Sequence, residues 1–244
     1  MPDVPPTKAT VCLPTYNERE NLEKMLRALG GKGVNVLVVD DNSPDGTGEI
    51  ADRLADELDY VSVLHRETKE GIGRAYIAAF RHLLATTDTE LILEMDCDFS
   101  HDPADVPRLV AAAEAGADLV LGSRYVPGGG TRNWGLIRRI ISWGGSFYAR
   151  VILGLRIRDL TGGFKCFRRR VLETLDLDAI ESKGYAFQIE MTYRAIRRGF
   201  TVVEVPIVFA DRTEGTSKMS RAIVLEAVTK VPRLRLAALS GRLR

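Results

Sequence analysis

Residues 91–98 have the sequence Leu-Ile-Leu-Glu-Met-Asp-Cys-Asp, an apolar run that ends in two closely spaced carboxylates. The run predicts a buried strand, in which Asp96 and Asp98 point to one side and Cys97 to the other. Two neighbouring carboxylates repel each other unless a cation lies between them. A hard divalent cation that also carries phosphate oxygens would meet that need. A bare pair of this kind is more often a solvated turn after a strand, so its meaning depends on the flanking sequence.

The composition is that of an ordinary soluble protein, and 244 residues suffice for one domain with a large core. Three cysteines without Cys-x-x-Cys spacing argue against a disulfide framework and fit a reducing compartment. No apolar run reaches the ~20 residues that a membrane-spanning helix needs. Residues 1–8 are polar and proline-rich, which predicts a disordered leader rather than a signal peptide.

The net charge of +1 conceals a division of charge along the chain. Residues 121–244 carry 23 Lys and Arg against 10 Asp and Glu, whereas residues 1–120 carry 11 against 23. This division suggests that the second half faces an anionic partner, which could be phosphate, nucleic acid or an anionic membrane. Chance segregation of solvated faces is the alternative. Because no DNA- or RNA-binding motif accompanies the basic residues, we expect no nucleic-acid partner.

The first half alternates β-branched apolar runs with amphipathic stretches, which predicts a mostly parallel sheet with helices on both faces. The predicted strands are residues 10–13, 34–39, 61–64, 91–95 and 118–121. The predicted helices are residues 18–29, 47–58, 73–84 and 104–115. A capping box at residues 17–20 and an N-cap at Asp102 followed by Pro103 mark two helix starts. In such a sheet, ligands bind at the carboxyl ends of the strands.

The second half is less regular. Short strands are predicted at residues 161–167 and 202–209, the latter at a sheet edge because it contains Pro206. Residues 140–155 are apolar and aromatic with arginines at both ends, which is typical of a helix lying in a membrane interface. A basic helix is predicted from residue 220 onward, either in contact with anionic lipid or as a core helix with a frayed tail. The predicted organisation is one domain over residues 9–219, with an interfacial insertion at 135–158 and a basic C-terminal helix or tail at 220–244.

Polar motifs follow three of the predicted strands and would line one crevice. They are Pro-Thr-Tyr-Asn-Glu at residues 14–18, Asp-Asp-Asn-Ser-Pro-Asp-Gly at 40–46, and the aspartate pair. A carboxylate at Asp41 can accept hydrogen bonds from a ribose or a base, whereas Asp45 is as readily explained by an Asx turn. Gly71-Ile72-Gly73 matches only the start of a dinucleotide fingerprint and no P-loop is present, so NAD and P-loop chemistry are not expected. The three histidines do not cluster, which argues against a zinc hydrolase.

Arginines follow the aspartate pair along the chain. Arg124 comes directly after the fifth predicted strand, and Arg138 precedes Ser142 by one helical turn. A guanidinium binds phosphate through a bidentate fork. Arg212 and Lys218 bracket a polar loop that could cover phosphates. A single arginine is usually a solvated surface residue, but this set opposite two aspartates favours a function.

These motifs together resemble an inverting family 2 glycosyltransferase of the GT-A fold, and more narrowly the polyprenol-phosphate (dolichol-phosphate) mannose synthases. The resemblance spans about residues 9–235, and its motifs lie at residues 14–18, 39–41, 96–103, 122–124, 161–164, 183–190 and 212–218. It implies an α/β, Rossmann-like nucleotide-sugar-binding fold with a mostly parallel central sheet and peripheral amphipathic interfacial helices. It also implies metal-dependent, inverting transfer of mannose from GDP-mannose to a polyprenyl phosphate.

The resemblance implies a role for each matching residue. The donor would be bound by Pro14, Tyr16, Glu18, Val39, Asp41, Asp96, Cys97, Asp98, Gln188, Arg212 and Lys218. Mg²⁺ or Mn²⁺ would be bound by Asp96, Asp98 and Ser100. The acceptor phosphate would be bound by Arg124, Arg138 and Ser142. The catalytic residues would be Asp96, Asp98 and Arg124.

The resemblance further implies peripheral association with the cytoplasmic face of a membrane, and it leaves room for a membrane protein that anchors the chain. Two alternatives stay open on the residues alone. One is a polyprenyl-phosphate glucosyltransferase or a relative that uses a UDP-sugar, because neither the base nor the hexose of the donor follows from the sequence. The other is a non-catalytic membrane-binding module with a degenerate transferase fold.

Overall fold

The computed structural model describes residues 8–180, 182, 184–211, 221–241 and 243, with backbone only at 221–225 and 227. The strands are β1 (Ala9–Thr15), β2 (Asn35–Asp40), β3 (Val61–His65), β4 (Leu91–Glu94), β5 (Leu119–Ser123), β6 (Gly130–Arg132), β7 (Lys165–Arg168), β8 (Val202–Pro206) and β9 (Val208–Ala210). The helices are α1 (Leu22–Leu29), α2 (Thr47–Glu57), α3 (Ile72–Thr86), α4 (Val106–Glu114), α5 (Leu136–Leu153), α6 (Arg169–Thr174), α7 (Gly184–Arg197) and α8 (Arg221–Leu239). A single turn of 3₁₀ helix, Pro103–Asp105, precedes α4.

Within the described residues, seven strands form one sheet in the order β3-β2-β1-β4-β7-β5-β8. All neighbouring pairs are parallel except the two made by β7, which runs antiparallel between β4 and β5. The predicted mostly parallel α/β fold is therefore confirmed. The register sets Glu94 of β4 directly opposite Lys165 of β7, at the centre of the sheet.

The strand order reverses between β1 and β4, since the chain builds outward through β2 and β3 before it returns to the other side of β1. At such a switch point the loops after the two central strands leave in opposite directions and open a crevice above the sheet. The loops that follow β1 and β4 carry the Pro-Thr-Tyr-Asn-Glu motif and the aspartate pair. The topology therefore brings these two motifs to one place.

Two apolar layers cover the sheet. Helices α1, α2 and α4 bury side chains against one face, and α3, α6 and α7 bury theirs against the other. The second layer contains an aromatic cluster, in which the ring centroids of Tyr76 and Phe80 of α3 lie 6.1 Å apart and that of Phe80 lies 5.7 Å from that of Phe167 of β7. Burial of side chains this large supplies much of the favourable free energy of folding.

A third buried cluster joins α5, α7 and α8, with Ala149, Tyr193 and Val231 among its members. The C-terminal helix is therefore packed on the domain over this stretch. The opposite side of α5 exposes large apolar side chains to solvent: Leu136, Ile137, Ile140, Ile141, Trp143, Phe147 and Val151. In the part of the chain that the structure describes, every helix is too short or too polar to cross a membrane.

The predicted capping box at residues 17–20 is wrong, because α1 begins only at Leu22. Asn17 has a left-handed backbone with φ 59° instead of the extended conformation of an N-cap. Its amide donates to Ser43 Oγ at 3.1 Å, and the amide of Glu18 donates to Thr47 Oγ1 at 3.0 Å. Long-range contacts with the loop after β2 thus override the local helix signal. The N-cap at Asp102 is confirmed by a 2.9 Å hydrogen bond from the amide of Ala104.

The strand predicted at residues 202–209 is two strands, β8 and β9, which belong to different sheets. Pro206 ends β8 at the edge of the main sheet, as predicted from its missing N–H. The amide of the next residue, Ile207, donates to the carbonyl of Ser123 at 3.0 Å, while its carbonyl accepts from Gly130. Strand β9 then pairs with β6 in parallel. Residues 1–7 of the predicted leader lie outside the described residues, and the carbonyl of Lys8 accepts hydrogen bonds from Glu90 and Leu91.

Gly129 allows the turn after β5 to pass directly over the backbone of Ser123 and Arg124. A Cβ atom at Gly129 would lie 2.5 Å from the carbonyl oxygen of Ser123, whereas one at the neighbouring Gly130 would meet nothing within 4 Å. We therefore expect Gly129→Ala to lower the free energy of unfolding by about 1–3 kcal/mol, since the backbone must shift to accept the methyl group.

Gly130→Ala is the matched control and should change stability by less than about 0.5 kcal/mol. Urea unfolding followed by circular dichroism measures both variants. Equal midpoints for the two variants would show that this close approach does not constrain the turn.

Candidate active site

A cavity of about 500 Å³ opens above the carboxyl ends of the parallel strands, at the switch point between β1 and β4. Motifs from β1, β2, β4 and β5 meet there, as predicted from the order of the motifs. The predicted site residues that line it are Pro14, Tyr16, Glu18, Asp41, Asp96, Cys97, Asp98, Arg124, Arg138 and Gln188. Its wall also contains apolar and aromatic residues such as Ile72, Trp134 and Phe209, as is usual for a small-molecule site.

One end of the cavity combines an aromatic ring with a carboxylate. The Lys69 ammonium lies 3.6 Å from the centroid of the Tyr16 ring. Asp41 forms an ion pair with Arg66, which is itself nearly buried. Burial raises the pKa of Asp41, and the Arg66 charge opposes that rise. The combination of a ring, a cation and a carboxylate suits a nucleoside, which offers a stacking face and polar edges.

The two aspartates beside Asp41 have structural roles. Asp40 is buried, and it accepts hydrogen bonds from the hydroxyl of Thr15 at 3.1 Å and that of Ser43 at 2.6 Å. Asp45 forms the Asx turn that the sequence allowed, since its Oδ1 accepts from the amide of Thr47 at 3.0 Å. These contacts leave Asp41 as the carboxylate of this motif that lines the cavity.

The aspartate pair lies in the loop immediately after β4, which ends at Glu94. Both aspartates line the cavity, and the intervening Cys97 is buried and packs into the core below while also contributing to the wall. Asp98 Oδ1 accepts from the amide of Ser100 at 3.0 Å, and His101 Nδ1 accepts from the amide of Asp96 at 3.1 Å. The loop therefore presents its two carboxylates from a fixed backbone.

The pair fits a divalent cation that shares its coordination with a bound diphosphate. Among the described residues, no group of three or more His, Cys, Asp and Glu side chains is arranged to hold a metal. Mg²⁺ typically binds through one or two carboxylates and substrate phosphates, because it keeps several other oxygen ligands. Two carboxylates in the wall of an open cavity match that requirement.

Opposite the aspartates, Arg124 is held by a buried carboxylate. Asp159 accepts hydrogen bonds from Arg124 Nε and Nη2, both at 2.7 Å, and from its backbone amide at 2.9 Å. Burial would lower the pKa of Arg124, but Asp159 raises it above its ordinary value. Arg124 Nη2 also donates to Thr161 Oγ1 at 2.9 Å, which in turn lies 3.0 Å from Ser146 Oγ on α5. This network ties the end of β5 to the exposed apolar helix.

Arg138 forms the second cationic group of this wall. Its guanidinium lies over the Trp134 ring at 4.2 Å and forms an ion pair with Asp211, which is partly exposed. A partly exposed ion pair of this kind contributes little to stability. A phosphate could replace the carboxylate at this guanidinium without burying a new charge.

An apolar groove of about 310 Å³ adjoins the cavity between α5 and α8. Its walls include Ile141, Tyr148, Ile189 and Val231. Thr161 and Tyr185 line both the groove and the cavity, so the two spaces share one wall. Ser142, predicted to bind the acceptor phosphate, lines the groove instead of the cavity and accepts a 2.8 Å hydrogen bond from the Tyr125 hydroxyl.

Four further predicted site residues are not among those that line the cavity. Val39 is fully buried in the layer under α3, and Ser100 Oγ is buried below the aspartate loop. Neither side chain is brought to the cavity, because each faces the packed side of its segment. Arg212 and Lys218 lie outside the described residues.

Sequence reasoning missed several residues that build the cavity. Four of them, Lys69, Trp134, Asp159 and Phe209, lie outside every motif, whereas Thr161 and Tyr185 lie in the motifs at 161–164 and 183–190 without an assigned role. Most of them come from segments without a metal or phosphate motif, so composition and spacing give no signal. Asp159 could have been found from its neighbours. It lies beside the apolar Leu160 and the Thr-Gly-Gly-Phe motif, where burial is expected, and a buried aspartate needs a cationic partner.

A buried polar cluster lies under the cavity between the sheet, α3 and α7. Glu94 and Lys165 are fully buried and directly opposite each other. Burial raises the pKa of Glu94, Lys165 opposes the rise, and burial lowers the pKa of Lys165. Gln188 also lowers the pKa of Glu94, although neither Glu94 oxygen meets hydrogen-bond geometry with a described residue. The Tyr76 hydroxyl is likewise buried without a hydrogen-bond partner there.

The sequence matches known glycosyltransferases over most of its length. The model of the glycosyl transferase family 2 matches residues 10–176. The polyprenol monophosphomannose synthase of Mycolicibacterium smegmatis is 51% identical over 232 residues, which cover 93% of this chain and 87% of that protein. The undecaprenyl-phosphate mannosyltransferase of Micrococcus luteus is 53% identical over 228 residues, which cover 93% of each.

Solved structures with the same fold include glucosyl-3-phosphoglycerate synthase from Mycobacterium tuberculosis. Its complex with phosphoglyceric acid gives a TM-score of 0.64 at 21% identity over 96% of this chain and 79% of that one. Its complex with Mn²⁺, UDP and glucosyl-3-phosphoglycerate gives 0.63 at 22% identity over the same shares. At this identity the likeness concerns the fold alone, and with the family match it confirms the predicted GT-A fold.

The Glu94–Lys165 pair predicts a pH dependence of stability. The pKa of Glu94 is raised from 4.5 to about 7 in the folded chain. Between those values the folded state binds more protons than the unfolded state, so the free energy of unfolding falls as pH rises. Glu94→Gln should remove this part of the slope.

Urea unfolding at several pH values between about 4.5 and 7 measures the slope, with the exposed Glu67→Gln as control. The control should keep the slope of the unmodified chain. A Glu94→Gln slope equal to that of the control would show that Glu94 ionises in the folded chain as it does in water.

Proposed function

Because this chain belongs to glycosyl transferase family 2, we propose that it transfers mannose from GDP-mannose to the phosphate of a polyprenyl lipid, in the presence of Mg²⁺ or Mn²⁺. The observation that carries the proposal is the continuity of three surfaces in one site. A carboxylate pair and two arginines line the cavity, and an apolar groove shares Thr161 and Tyr185 with it as a common wall. A nucleotide sugar, a phosphate and a hydrocarbon chain are the ligands that these surfaces suit.

The relatives support the choice of sugar and acceptor. Both curated relatives are named for mannosyl transfer to a polyprenol or undecaprenyl phosphate, and both match this chain over nine-tenths of its length. The choice of guanine as the base of the donor rests on the resemblance of residues 14–18 and 39–41 to the motifs of polyprenol-phosphate mannose synthases. Asp41 would accept hydrogen bonds from the nucleoside, with Tyr16 offering its ring.

The acidic end of the cavity would bind the donor diphosphate. Asp96 and Asp98 would hold the divalent cation against the diphosphate oxygens. When bound, the cation neutralises negative charge that develops on the departing nucleoside diphosphate. Two hydrogen bonds hold the loop and its carboxylates in place. The amide of Asp96 donates to His101, and the amide of Ser100 donates to Asp98.

The nucleophile would be an oxygen of the lipid phosphate. Such an oxygen is anionic at neutral pH because the second pKa of a phosphate monoester lies near ~6, so no general base is required. Arg138 would bind this phosphate, and Arg124, held in orientation by Asp159, would line its path. Attack from the face opposite the leaving diphosphate inverts the anomeric centre and gives a β-linked mannosyl phosphate.

The groove and the exposed side of α5 would engage the lipid. The groove next to Tyr185 would take the first isoprene units, and the apolar residues of α5 would lie in the membrane interface. Trp143 and Phe147 stack at 5.2 Å on that side, where aromatic rings favour the interface. Arg139 and Arg150 lie on the same helix and would meet anionic headgroups. We propose peripheral association with the membrane on this basis.

Transfer activity tests the proposal directly. With labelled GDP-mannose, polyprenyl phosphate and Mn²⁺, we expect a lipid-extractable mannosyl phosphate, and we expect none with UDP-glucose. Asp98→Asn should lower kcat/KM by at least about 100-fold, since it removes a charged ligand of the cation. A product formed only from UDP-glucose would overturn the mannose assignment, and full activity of Asp98→Asn would overturn the metal site.

Membrane association is tested by a charge on the exposed side of α5. Ile137 on this side is 74% exposed. Ile137→Glu should weaken the binding of the protein to anionic vesicles by about tenfold or more, because burying an isoleucine side chain contributes about 1.5–3 kcal/mol. Val208→Glu, at another exposed apolar residue, is the control and should bind vesicles normally. Co-sedimentation with vesicles measures both, and equal binding of the two variants would contradict the assignment of this surface.

A further inference from the structure

Gln188 lines the cavity close to the loop of the aspartate pair. Its side chain is only 4% exposed, yet it lines the cavity. A Cβ atom built on Gly163 would lie 3.5 Å from Gln188 Nε2 and 3.9 Å from His101 Cε1. Since His101 accepts the amide of Asp96, the Gln188 carboxamide lies beside the loop of the aspartate pair. The diphosphate would be at that loop and the attacking phosphate at the arginines, so the hexose must lie between them.

Three glycines contribute to the cavity wall near Gln188. Gly162 and Gly163 line the cavity next to it, as does Gly184 at the start of α7. A Cβ atom at Gly162 would lie 3.2 Å from the carbonyl oxygen of Gly122, so the chain passes close to its neighbours here. Gln188 is therefore a polar side chain among glycines, at a place where a ligand with several hydroxyl groups needs a donor or an acceptor.

Two buried side chains hold the backbone of Gln188 in position. Lys165 Nζ donates to the backbone carbonyl of Gln188 at 2.7 Å and to Thr192 Oγ1 at 3.0 Å. Thr192 Oγ1 donates to the same carbonyl at 3.0 Å. These bonds tie the start of α7 to β7. Glu94 lies directly opposite Lys165 on the neighbouring strand.

The cluster has features of a site that was not arranged for stability alone. Gln188 Oε1, both Glu94 oxygens and the Tyr76 hydroxyl are buried and have no hydrogen-bond partner among the described residues. Buried polar atoms without partners are rare in folded proteins, because each costs free energy. An apolar residue at position 188 would avoid part of that cost.

We propose that Gln188 determines the specificity for the donor sugar, by hydrogen bonding a hexose hydroxyl through its carboxamide, and that Lys165 is a positioning residue for it. The inference rests on the proposed glycosyl transfer and adds the residue that distinguishes a sugar nucleotide from the nucleoside diphosphate alone. A site that hydrogen-bonds a substrate hydroxyl rejects ligands that lack it, since its own polar group is then left unpaired.

The test compares dissociation constants for GDP-mannose and GDP in the presence of Mn²⁺, measured by isothermal titration calorimetry on the full chain. Gln188→Met keeps the length of the side chain and removes its polar atoms. We expect it to weaken GDP-mannose binding about tenfold and to leave GDP binding within about twofold. Lys165→Met should shift the same ratio in the same direction, because the backbone carbonyl of Gln188 loses its anchor.

Two further variants separate a sugar contact from general damage. Gly163→Ala adds a methyl group at ordinary contact distance from Gln188 and His101, so the fold should accept it while the hexose loses space. It should weaken GDP-mannose and spare GDP. Tyr193→Phe removes a buried hydroxyl that has no partner among the described residues, from the same helix but outside the cavity. It should leave the ratio of the two constants unchanged.

Donors that lack one hexose hydroxyl identify the contact. The deoxy donor that lacks the hydroxyl bound by Gln188 should bind equally well to the unmodified chain and to Gln188→Met.

The inference is overturned if Gln188→Met weakens the binding of GDP and of GDP-mannose equally, or affects neither. If the unmodified chain binds UDP-glucose and ignores GDP-mannose, the proposed donor is wrong, and the same comparison with UDP-glucose and UDP decides the role of Gln188. Binding of neither sugar nucleotide would overturn both proposals.

Discussion

The reversal of strand order between β1 and β4 is the constraint from which the rest of the site follows. Because the loops after these two strands must diverge, a crevice opens above the sheet without any dedicated cavity-forming element. The loops that border it carry the residues of the Pro-Thr-Tyr-Asn-Glu motif and of the aspartate pair. The antiparallel strand β7 then fills the gap between β4 and β5, and it brings Lys165 under the crevice opposite Glu94.

Both halves of the chain contribute charged residues to the cavity. The acidic half supplies Asp41 and the aspartate pair, and the basic half supplies Arg124 and Arg138. Each arginine forms an ion pair with a carboxylate, but one pair is buried and the other is partly exposed. Asp159 holds Arg124 through a buried bidentate pair, which fixes its geometry. Asp211 forms an ion pair with Arg138 at the surface, so another anion could replace Asp211 there at little cost in free energy.

Much of the fold could be predicted from the sequence because its signals are local. The apolar runs and the N-cap at Asp102 depend on neighbouring residues, and they were placed within a few positions. The capping box at 17–20 failed because the amides of Asn17 and Glu18 donate to Ser43 and Thr47, which are distant in sequence. The same limit applies to the site. Motif residues were found, whereas Lys69, Trp134 and Asp159 act through contacts that exist only once the chain is folded, and Val39 and Ser100 face the packed side of their segments.

Thr161 and Tyr185 form a wall common to the polar cavity and the apolar groove. A lipid substrate seated across such a wall would pass only its headgroup into the aqueous chamber, while its tail stayed in hydrocarbon. Encounter with the enzyme would then occur by lateral diffusion within the plane of the bilayer. The quantity that governs saturation would be the mole fraction of the lipid in the membrane, so diluting it with inert lipid would slow turnover even at constant bulk concentration.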